Sequence, residues 1–208
     1  MTKRLFEGLS INGYAIFDPR VFPEVDEIVA VVRSLPEVPS EPEEGRHRHK
    51  PFLVSLELED KVSEAVGKLA CREDVLECIQ KYIRPGAYVK NIDVYKSEYH
   101  EEPYRSSQLY HCDGDYTPQV KLFVLCSKVG PENGPLTFVQ VDDTRHLWKR
   151  LCYNTTQRLK DKQVNKKATQ LLGDPGTCCF IDTSMCFHYG SRVQQNADPR
   201  LVTVVQYV

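Results

Sequence analysis

The sequence predicts one mainly antiparallel β domain, a sandwich or jelly roll with helices packed on one face. Three observations support this prediction. The chain has 208 residues, of which 41% are apolar, and one domain of that size can enclose a single core. Helical patterns occupy the N-terminal part, whereas at least five β-branched or aromatic runs follow residue 87. Because strands and helices do not alternate, a doubly wound parallel sheet is disfavoured. We therefore treat residues 1–208 as one domain.

The chain is predicted to begin with a short strand at residues 12–18, which follows a glycine turn. An amphipathic helix is predicted over residues 23–36, because apolar residues such as Val25 and Ile28 recur at helical spacing and proline lies near both ends. Residues 35–50 combine many charges with proline and glycine, which predicts a charged, flexible loop.

Two further helices are predicted near residues 60–70 and 73–83, and Pro85 lies where the second one ends. The remainder of the chain consists mostly of runs typical of strands, separated by Gly, Pro, Asn and Asp turns. These predicted strands are residues 88–97, 120–129, 135–141, 176–182 and 201–208. A charged helical pattern at residues 144–170 is inserted between them.

Composition argues against several classes of protein. A net charge of −2 is unlike that of a dedicated nucleic-acid-binding protein. The longest apolar runs, such as residues 28–32 and 122–126, are far shorter than the roughly 18 residues of a membrane span. No apolar stretch follows the basic N-terminus, so we expect a cytoplasmic protein without a secretory signal. The eight cysteines form no CxxC pair, and we expect mostly reduced thiols rather than a disulfide framework.

The most informative pattern is His111-Cys112-Asp113. Residues two apart on an extended segment point to the same side, so His111 and Asp113 can chelate one metal ion while Cys112 points away. His188 follows an apolar strand and is the candidate for a third ligand. Two imidazoles and one carboxylate on one face of an octahedron are typical of non-heme Fe(II) oxygenases, whereas a thiolate-rich site favours zinc. The His-x-Asp pair alone is weak evidence, since it occurs often by chance.

Arg200 opens the last apolar strand, twelve residues after His188. Burying a guanidinium is costly unless it is paired, and a dicarboxylate co-substrate would provide a bidentate partner. The alternative is an exposed Arg200 that pairs with Asp198 or with water. Arg192 lies nearer His188 in the sequence and is a rival for the same role.

These residues carry a family resemblance. The His-Cys-Asp segment at 111–113, the segment GPENGPLTFV at 130–139 and the His188 to Arg200 region resemble the phytanoyl-CoA dioxygenase family of Fe(II)/2-oxoglutarate oxygenases. Residues 13–32 also resemble the first strand and helix of that family. The resemblance covers most of the chain and implies a double-stranded β-helix, that is, a cupin-like jelly roll.

The resemblance also implies a site and an activity. Iron would be held by His111, Asp113 and His188, and Arg200 would bind the distal carboxylate of 2-oxoglutarate, with Ser191 assisting. The implied protein is an Fe(II)- and 2-oxoglutarate-dependent dioxygenase that uses O₂ to hydroxylate a small molecule, releasing succinate and CO₂. Because Asp113 is a carboxylate ligand, no position is left for a halide, which favours hydroxylation or desaturation over halogenation.

Other functions stay open on the sequence. They are a 2-oxoglutarate-independent metal protein such as a cupin-type isomerase, a non-catalytic binding module, and an oxygenase that acts on protein or nucleic acid. The net charge argues against nucleic acid as substrate or partner. Candidate walls of a substrate pocket are residues 90–99, 109–110 and 140–148. Four tyrosines are either pocket or core residues: Tyr104, Tyr110, Tyr116 and Tyr189. The acidic residues Glu98, Glu101 and Glu102 fit a cationic substrate or a solvated loop.

Overall fold

The computed structural model describes residues 1–37, 52–54, 56, 59–104, 106–114, 118–140 and 168–208. Within these residues the chain forms four α-helices and nine β-strands. The helices are α1 (Thr2–Asn12), α2 (Val25–Arg33), α3 (Asp60–Ala70) and α4 (Glu73–Tyr82). The strands are β1 (Tyr14–Phe17), β2 (Leu53–Val54), β3 (Val89–Ser97), β4 (Val120–Leu125), β5 (Leu136–Phe138), β6 (Thr169–Gln170), β7 (Cys178–Ile181), β8 (His188–Gly190) and β9 (Arg200–Tyr207).

The strands form two antiparallel sheets. The larger sheet has six strands in the order β1-β7-β4-β9-β3-β2, and the smaller has three in the order β6-β5-β8. Every strand pair in both sheets is antiparallel. The prediction of a mainly antiparallel β fold with helices is confirmed for the described part of the chain.

The two faces of the larger sheet have different neighbours, as the alternation along β4 shows. Val120, Leu122 and Val124 belong to a buried cluster that also contains apolar residues of all four helices. Phe123 and Leu125 point to the opposite face and pack in a second cluster with residues of the smaller sheet. Since successive strand residues face opposite sides, one face of the larger sheet is covered by helices and the other by the smaller sheet. The prediction that the helices pack on one face is therefore confirmed.

The helix α1 was not predicted. Its only buried residues are Leu5 and Leu9, so its apolar stripe is too narrow to stand out from the sequence. Gly13 ends the helix with a positive φ of 81°, and its N–H donates to the Leu9 carbonyl at 3.0 Å. The left-handed conformation is one that glycine adopts without strain, and it directs the chain into β1.

Three strands were also missed because each has only two or three residues, too few for a periodic pattern. These are β2, β6 and β8. The predicted helical pattern at 144–170 is wrong at its end, where Thr169–Gln170 pairs with β5 as β6. The pairing with a neighbouring strand overrides the local preference there, while residues 144–167 lie outside the described residues. Most of the predicted loop at 35–50 lies outside them as well.

The seven described cysteines are free thiols, as predicted: Cys71, Cys78, Cys112, Cys126, Cys178, Cys179 and Cys186. Cys152 lies outside the described residues. No helix in the described part of the chain combines the length and the apolar character needed to cross a bilayer.

A core substitution tests the helix-covered face of the larger sheet. Phe180 is fully buried, and its ring centroid lies 6.0 Å from that of Phe17 and 6.1 Å from that of Phe22. We expect Phe180→Ala to lower the free energy of unfolding in urea by about 3–5 kcal/mol, since it leaves a cavity in the core. Tyr88→Ala, at a position that is half exposed, is the control. A loss below about 1 kcal/mol for Phe180→Ala would show that this face is not a packed core.

Candidate metal centre

The structure brings together the three residues that the sequence nominates as metal ligands. One donor atom each of His111, Asp113 and His188 lies within 4.8 Å of the other two. The Nε2 atom of His111 is 3.8 Å from Oδ1 of Asp113, and Nε2 of His188 is 3.8 Å from Oδ2 of Asp113. A single ion placed between these atoms can be bound by all three groups.

Main-chain hydrogen bonds fix the positions of these residues. His111 and His188 form an antiparallel bridge, with N–O distances of 3.0 and 2.9 Å. The N–H of Asp113 donates to the carbonyl of Thr183 at 2.8 Å. His111 and Asp113, two residues apart, therefore lie on the same side of their segment, as the sequence spacing predicts.

Both imidazoles have a fixed tautomer. The Nδ1 atom of His111 lies 2.8 Å from the carbonyl oxygen of Leu109, and Nδ1 of His188 lies 2.9 Å from that of Cys186. Because a carbonyl oxygen only accepts, each Nδ1 carries the hydrogen. In the neutral ring Nε2 keeps its lone pair for a metal ion, and a hydrogen bond from Nδ1 to a carbonyl is the contact that orients histidine ligands in metal sites.

The carboxylate of Asp113 is held in its charged form. Burial raises its pKa, but the attraction of the Lys121 ammonium, and of the His188 ring whenever that ring is protonated, lowers it more, so the pKa lies below its usual range. The Lys121 Nζ atom is 2.8 Å from Oδ2 of Asp113. Lys121 was not identified from the sequence, where it is part of an apolar run. Its alternation with Phe123 puts both side chains on one face of β4, and the structure shows that this face lines the cavity.

The donor set fits a divalent first-row metal ion. It offers two neutral imidazole nitrogens and one anionic oxygen, and it lies at a cavity of about 280 Å³. Cys112 is not in the donor cluster. It packs against the apolar cluster of Tyr110, Val139 and Phe187, and burial raises the pKa of its thiol. A thiol with a raised pKa is a poor ligand, so the zinc interpretation receives no support here.

Arg200 lies in the same cavity as the three candidate ligands. Its Nη1 donates to the Gly134 carbonyl, and its Nη2 donates to Ser97 Oγ at 3.0 Å. Burial lowers the pKa of Arg200 to about 10. Its Nε makes no hydrogen bond to a described residue. Its described hydrogen-bond partners are neutral oxygens and no charged neighbour shifts its pKa, so no carboxylate among the described residues, Asp198 included, pairs with it.

The GPENGPL segment holds this guanidinium in place. Gly134 has a positive φ of 70°, and a Cβ atom there would lie 2.6 Å from the carbonyl oxygen of Ser191. Only glycine fits such a position, and its carbonyl is the one that accepts from Arg200. Ser191 also lines the cavity, with its Oγ 2.8 Å from Oγ1 of Thr137.

Arg192, the rival to Arg200, is directed elsewhere. Its guanidinium carbon lies 4.1 Å from the centre of the Tyr104 ring, and its Nη2 donates to the Glu102 carbonyl. It lines a separate cleft rather than the cavity of the candidate ligands. Three of the four tyrosines considered from the sequence line that same cleft: Tyr104, Tyr110 and Tyr189. Tyr116 lies outside the described residues.

The cavity walls agree in part with the sequence-based expectation. The predicted wall at residues 90–99 contributes Asp93, Tyr95, Ser97 and Glu98 to the cavity. Residues 109–110 line the separate cleft instead. Of the predicted wall at residues 140–148, Gln140 does not line the cavity and the other residues lie outside the described residues. Glu98 is the only member of the acidic cluster that lines the cavity, and Lys96 is paired with it at 2.8 Å.

Comparisons with known proteins show the fold. No family model matches the sequence, and no curated protein matches it. Solved structures do match over the whole chain. SnoN, a non-heme alpha-ketoglutarate-dependent epimerase from nogalamycin biosynthesis, is 16% identical with a TM-score of 0.61, covering 100% of this chain and 82% of its own. HygX from Streptomyces hygroscopicus, with nickel and 2-oxoglutarate bound, is 17% identical with a TM-score of 0.64. That match covers 100% of this chain and 87% of the HygX chain.

AviO1 from Streptomyces viridochromogenes Tue57 is 16% identical with a TM-score of 0.57, and the match covers 100% of this chain and 95% of that one. HygX has also been solved with hygromycin B, and SnoN with Fe³⁺, alpha-ketoglutarate and nogalamycin RO. The chain thus shares the fold of these proteins. The narrower resemblance to the phytanoyl-CoA dioxygenase family stays a prediction.

Replacement of Cys112 tests the composition of the ligand set. We expect Cys112→Ser to bind Co(II) as the unmodified protein does, because the thiol packs away from His111 and Asp113. The altered packing should lower the free energy of unfolding by at most about 1 kcal/mol. Metal content and Co(II) affinity of the purified variant provide the measurement, with His188→Ala as the variant expected to lose metal. Loss of metal from folded Cys112→Ser would make Cys112 a ligand.

Proposed function

We propose that the chain is a single-domain Fe(II)- and 2-oxoglutarate-dependent dioxygenase with a double-stranded β-helix fold. The observation that carries the proposal is that one cavity contains both the His-Asp-His cluster and an arginine for which no described residue supplies a carboxylate partner. The two antiparallel sheets with a shared core support the fold assignment, as does the likeness to SnoN and HygX.

The ligand set is suited to Fe(II). His111, Asp113 and His188 would occupy one face of an octahedron and leave the other face open to the cavity. When bound, iron together with 2-oxoglutarate and O₂ supplies the oxidising chemistry, in which the co-substrate is converted to succinate and CO₂ and the substrate is hydroxylated. The protein itself would supply the orientation of iron, co-substrate and substrate.

Arg200 would bind the distal carboxylate of 2-oxoglutarate. The hydrogen bonds to Gly134 and Ser97 orient its guanidinium, and the planar fork suits a carboxylate. Ser191 lies in the same cavity and would offer its hydroxyl to the same carboxylate. Because burial already disfavours the charged guanidinium, an anionic ligand would compensate for that cost.

The cavity would exclude bulk water from the reacting groups. Apolar side chains from the two sheets and from the segments beside them form part of its wall: Phe123, Leu125, Leu136, Leu171, Val193, Val202 and Val204. Electrostatic interactions are stronger in such surroundings than in water. Lys121 would keep Asp113 ionised and oriented through its contact at 2.8 Å, so that the carboxylate is ready to bind a cation.

The substrate is proposed to be a small molecule. HygX binds hygromycin B and SnoN binds nogalamycin RO, and the cavity of about 280 Å³ is of a size for part of such a ligand. Hydroxylation, membership of the phytanoyl-CoA dioxygenase family and a cytoplasmic location are parts of the proposal. The alternative of a 2-oxoglutarate-independent metal protein leaves the placement of Arg200 in the cavity without a purpose.

Replacement of Asp113 tests the metal site. We expect Asp113→Ala to lose stable Fe(II) binding and to reduce the O₂-dependent conversion of 2-oxoglutarate to succinate to background, because two imidazoles alone hold the ion weakly. Asp174→Ala, which removes a carboxylate outside the cavity, should leave succinate formation unchanged. Succinate is measured with Fe(II) in excess. Undiminished turnover in Asp113→Ala would contradict the assignment.

A second pair of variants tests the co-substrate site. Loss of a charged hydrogen-bond partner costs about 1.5–3 kcal/mol. We therefore expect Arg200→Ala to weaken 2-oxoglutarate binding roughly tenfold to a hundredfold while Fe(II) binding is retained. Arg192→Ala is the matched control, because it removes the same group from the separate cleft. If Arg192→Ala weakened 2-oxoglutarate binding and Arg200→Ala did not, the assignment of the carboxylate site would be wrong.

A further inference from the structure

Asp182 is a buried carboxylate that lies outside the cavity, immediately after β7. It is 1% exposed, and a carboxylate at such a depth is costly unless hydrogen-bond donors surround it. Its Oδ2 accepts from the Tyr82 hydroxyl at 2.8 Å. Its Oδ1 accepts from the Ser184 N–H at 2.9 Å, the Ser184 hydroxyl at 2.6 Å and the Met185 N–H at 3.0 Å. Four donors therefore converge on one side chain.

These contacts close a tight turn at residues 182–186, which we call the Asp182 turn. The main-chain carbonyl of Asp182 accepts from the N–H groups of Met185 and Cys186 at 3.2 and 2.8 Å. Both the side chain and the main-chain carbonyl of Asp182 therefore accept hydrogen bonds from within the Asp182 turn. The N–H of Asp182 donates to the Gly13 carbonyl at 2.8 Å, which ties the turn to the start of β1.

The Asp182 turn presents two of its own carbonyls to the candidate metal ligands. The Thr183 carbonyl accepts from the N–H of Asp113 at 2.8 Å. The Cys186 carbonyl lies 2.9 Å from Nδ1 of His188 and sets the tautomer of that ring. Two of the three ligands are therefore anchored on one turn, at opposite ends of it.

We propose that Asp182 is a positioning residue for the metal centre, holding the turn in the shape that fixes the Asp113 backbone and the His188 ring. This inference rests on the proposed metal site. Tyr82 is the last residue of α4, so its hydrogen bond to Asp182 connects the layer of helices to the turn that anchors Asp113 and His188. Partners of metal ligands typically contribute about tenfold to a hundredfold to metal affinity.

The test is a Co(II) titration of the metal-free protein, with both the affinity and the visible absorption spectrum of bound Co(II) recorded. We expect Asp182→Ala to weaken Co(II) binding about tenfold to a hundredfold and to alter the spectrum, because the ligands lose their fixed geometry. Asp182→Asn should keep the Co(II) affinity and the spectrum of the unmodified protein. The amide oxygen of asparagine can accept from the turn, while its NH₂ group can donate to the Tyr82 oxygen.

A matched pair of tyrosine variants separates positioning from stability. The Tyr82 hydroxyl donates to Asp182, whereas the buried Tyr207 hydroxyl donates to the Ala70 carbonyl at 3.1 Å. Each Tyr→Phe change removes one hydrogen bond that a tyrosine hydroxyl donates, and each should therefore lower the unfolding temperature. We expect only Tyr82→Phe to weaken Co(II) binding, by about threefold to tenfold, which is less than the effect of a direct partner of a ligand because Tyr82 acts through Asp182. This pair decides the question if Asp182→Ala fails to fold.

The outcomes are distinct. If Tyr82→Phe and Tyr207→Phe are both destabilised but bind Co(II) with unchanged affinity and spectrum, Asp182 has only a structural role and the inference is overturned. If Asp182→Asn binds as poorly as Asp182→Ala, the turn is not held by the hydrogen bonds described and the inference is also overturned. Failure of the unmodified protein to bind Co(II) would instead overturn the proposed metal site, and the inference with it.

Discussion

Two main-chain hydrogen bonds join His111 to His188, with N–O distances of 3.0 and 2.9 Å, and they set the separation of two imidazoles from distant parts of the chain. Asp113 then follows two residues later on the same side, because an extended segment repeats its direction with that period. The carbonyls of Leu109 and Cys186 direct both rings towards Asp113. If the pairing of these two segments shifted by one residue, an imidazole would point to the opposite face, away from Asp113, and the three groups could not bind one ion.

Charged side chains lie around this bridge, and a charge buried among apolar side chains destabilises the folded protein unless it is paired. Asp113 is offset by Lys121 at 2.8 Å. Arg200 has only neutral oxygens as its described partners, the Gly134 carbonyl and the Ser97 hydroxyl. A guanidinium in such surroundings is a cost to the folded protein unless an anion binds there. The site therefore combines a place for a cation with a place for an anion in one cavity, which is what a metal chelated by a dicarboxylate requires.

Much of this site could be predicted from the sequence, because its parts depend on local spacing. The pair His111 and Asp113 follows from strand geometry, and His188 stands out as a histidine after an apolar strand. Lys121 was missed because a single lysine in a run such as VKLFVL looks like an exposed position, while its true direction depends on which face of β4 borders the cavity. Asp182 was missed because its four donors come from a turn and from α4, and such tertiary contacts leave no periodic signal. The helix α1 shows the same limit, with only Leu5 and Leu9 buried.

The most direct test of the proposed chemistry is the addition of 2-oxoglutarate to the Fe(II)-loaded protein in the absence of O₂, with visible absorption recorded. We expect a weak charge-transfer band that saturates at one equivalent of 2-oxoglutarate per iron, because under the proposal iron held by His111, Asp113 and His188 would bind the co-substrate directly. The band should require a much higher 2-oxoglutarate concentration in Arg200→Ala. Tight binding of Fe(II) with no band at any 2-oxoglutarate concentration would contradict the proposal and identify a metal protein that does not use this co-substrate.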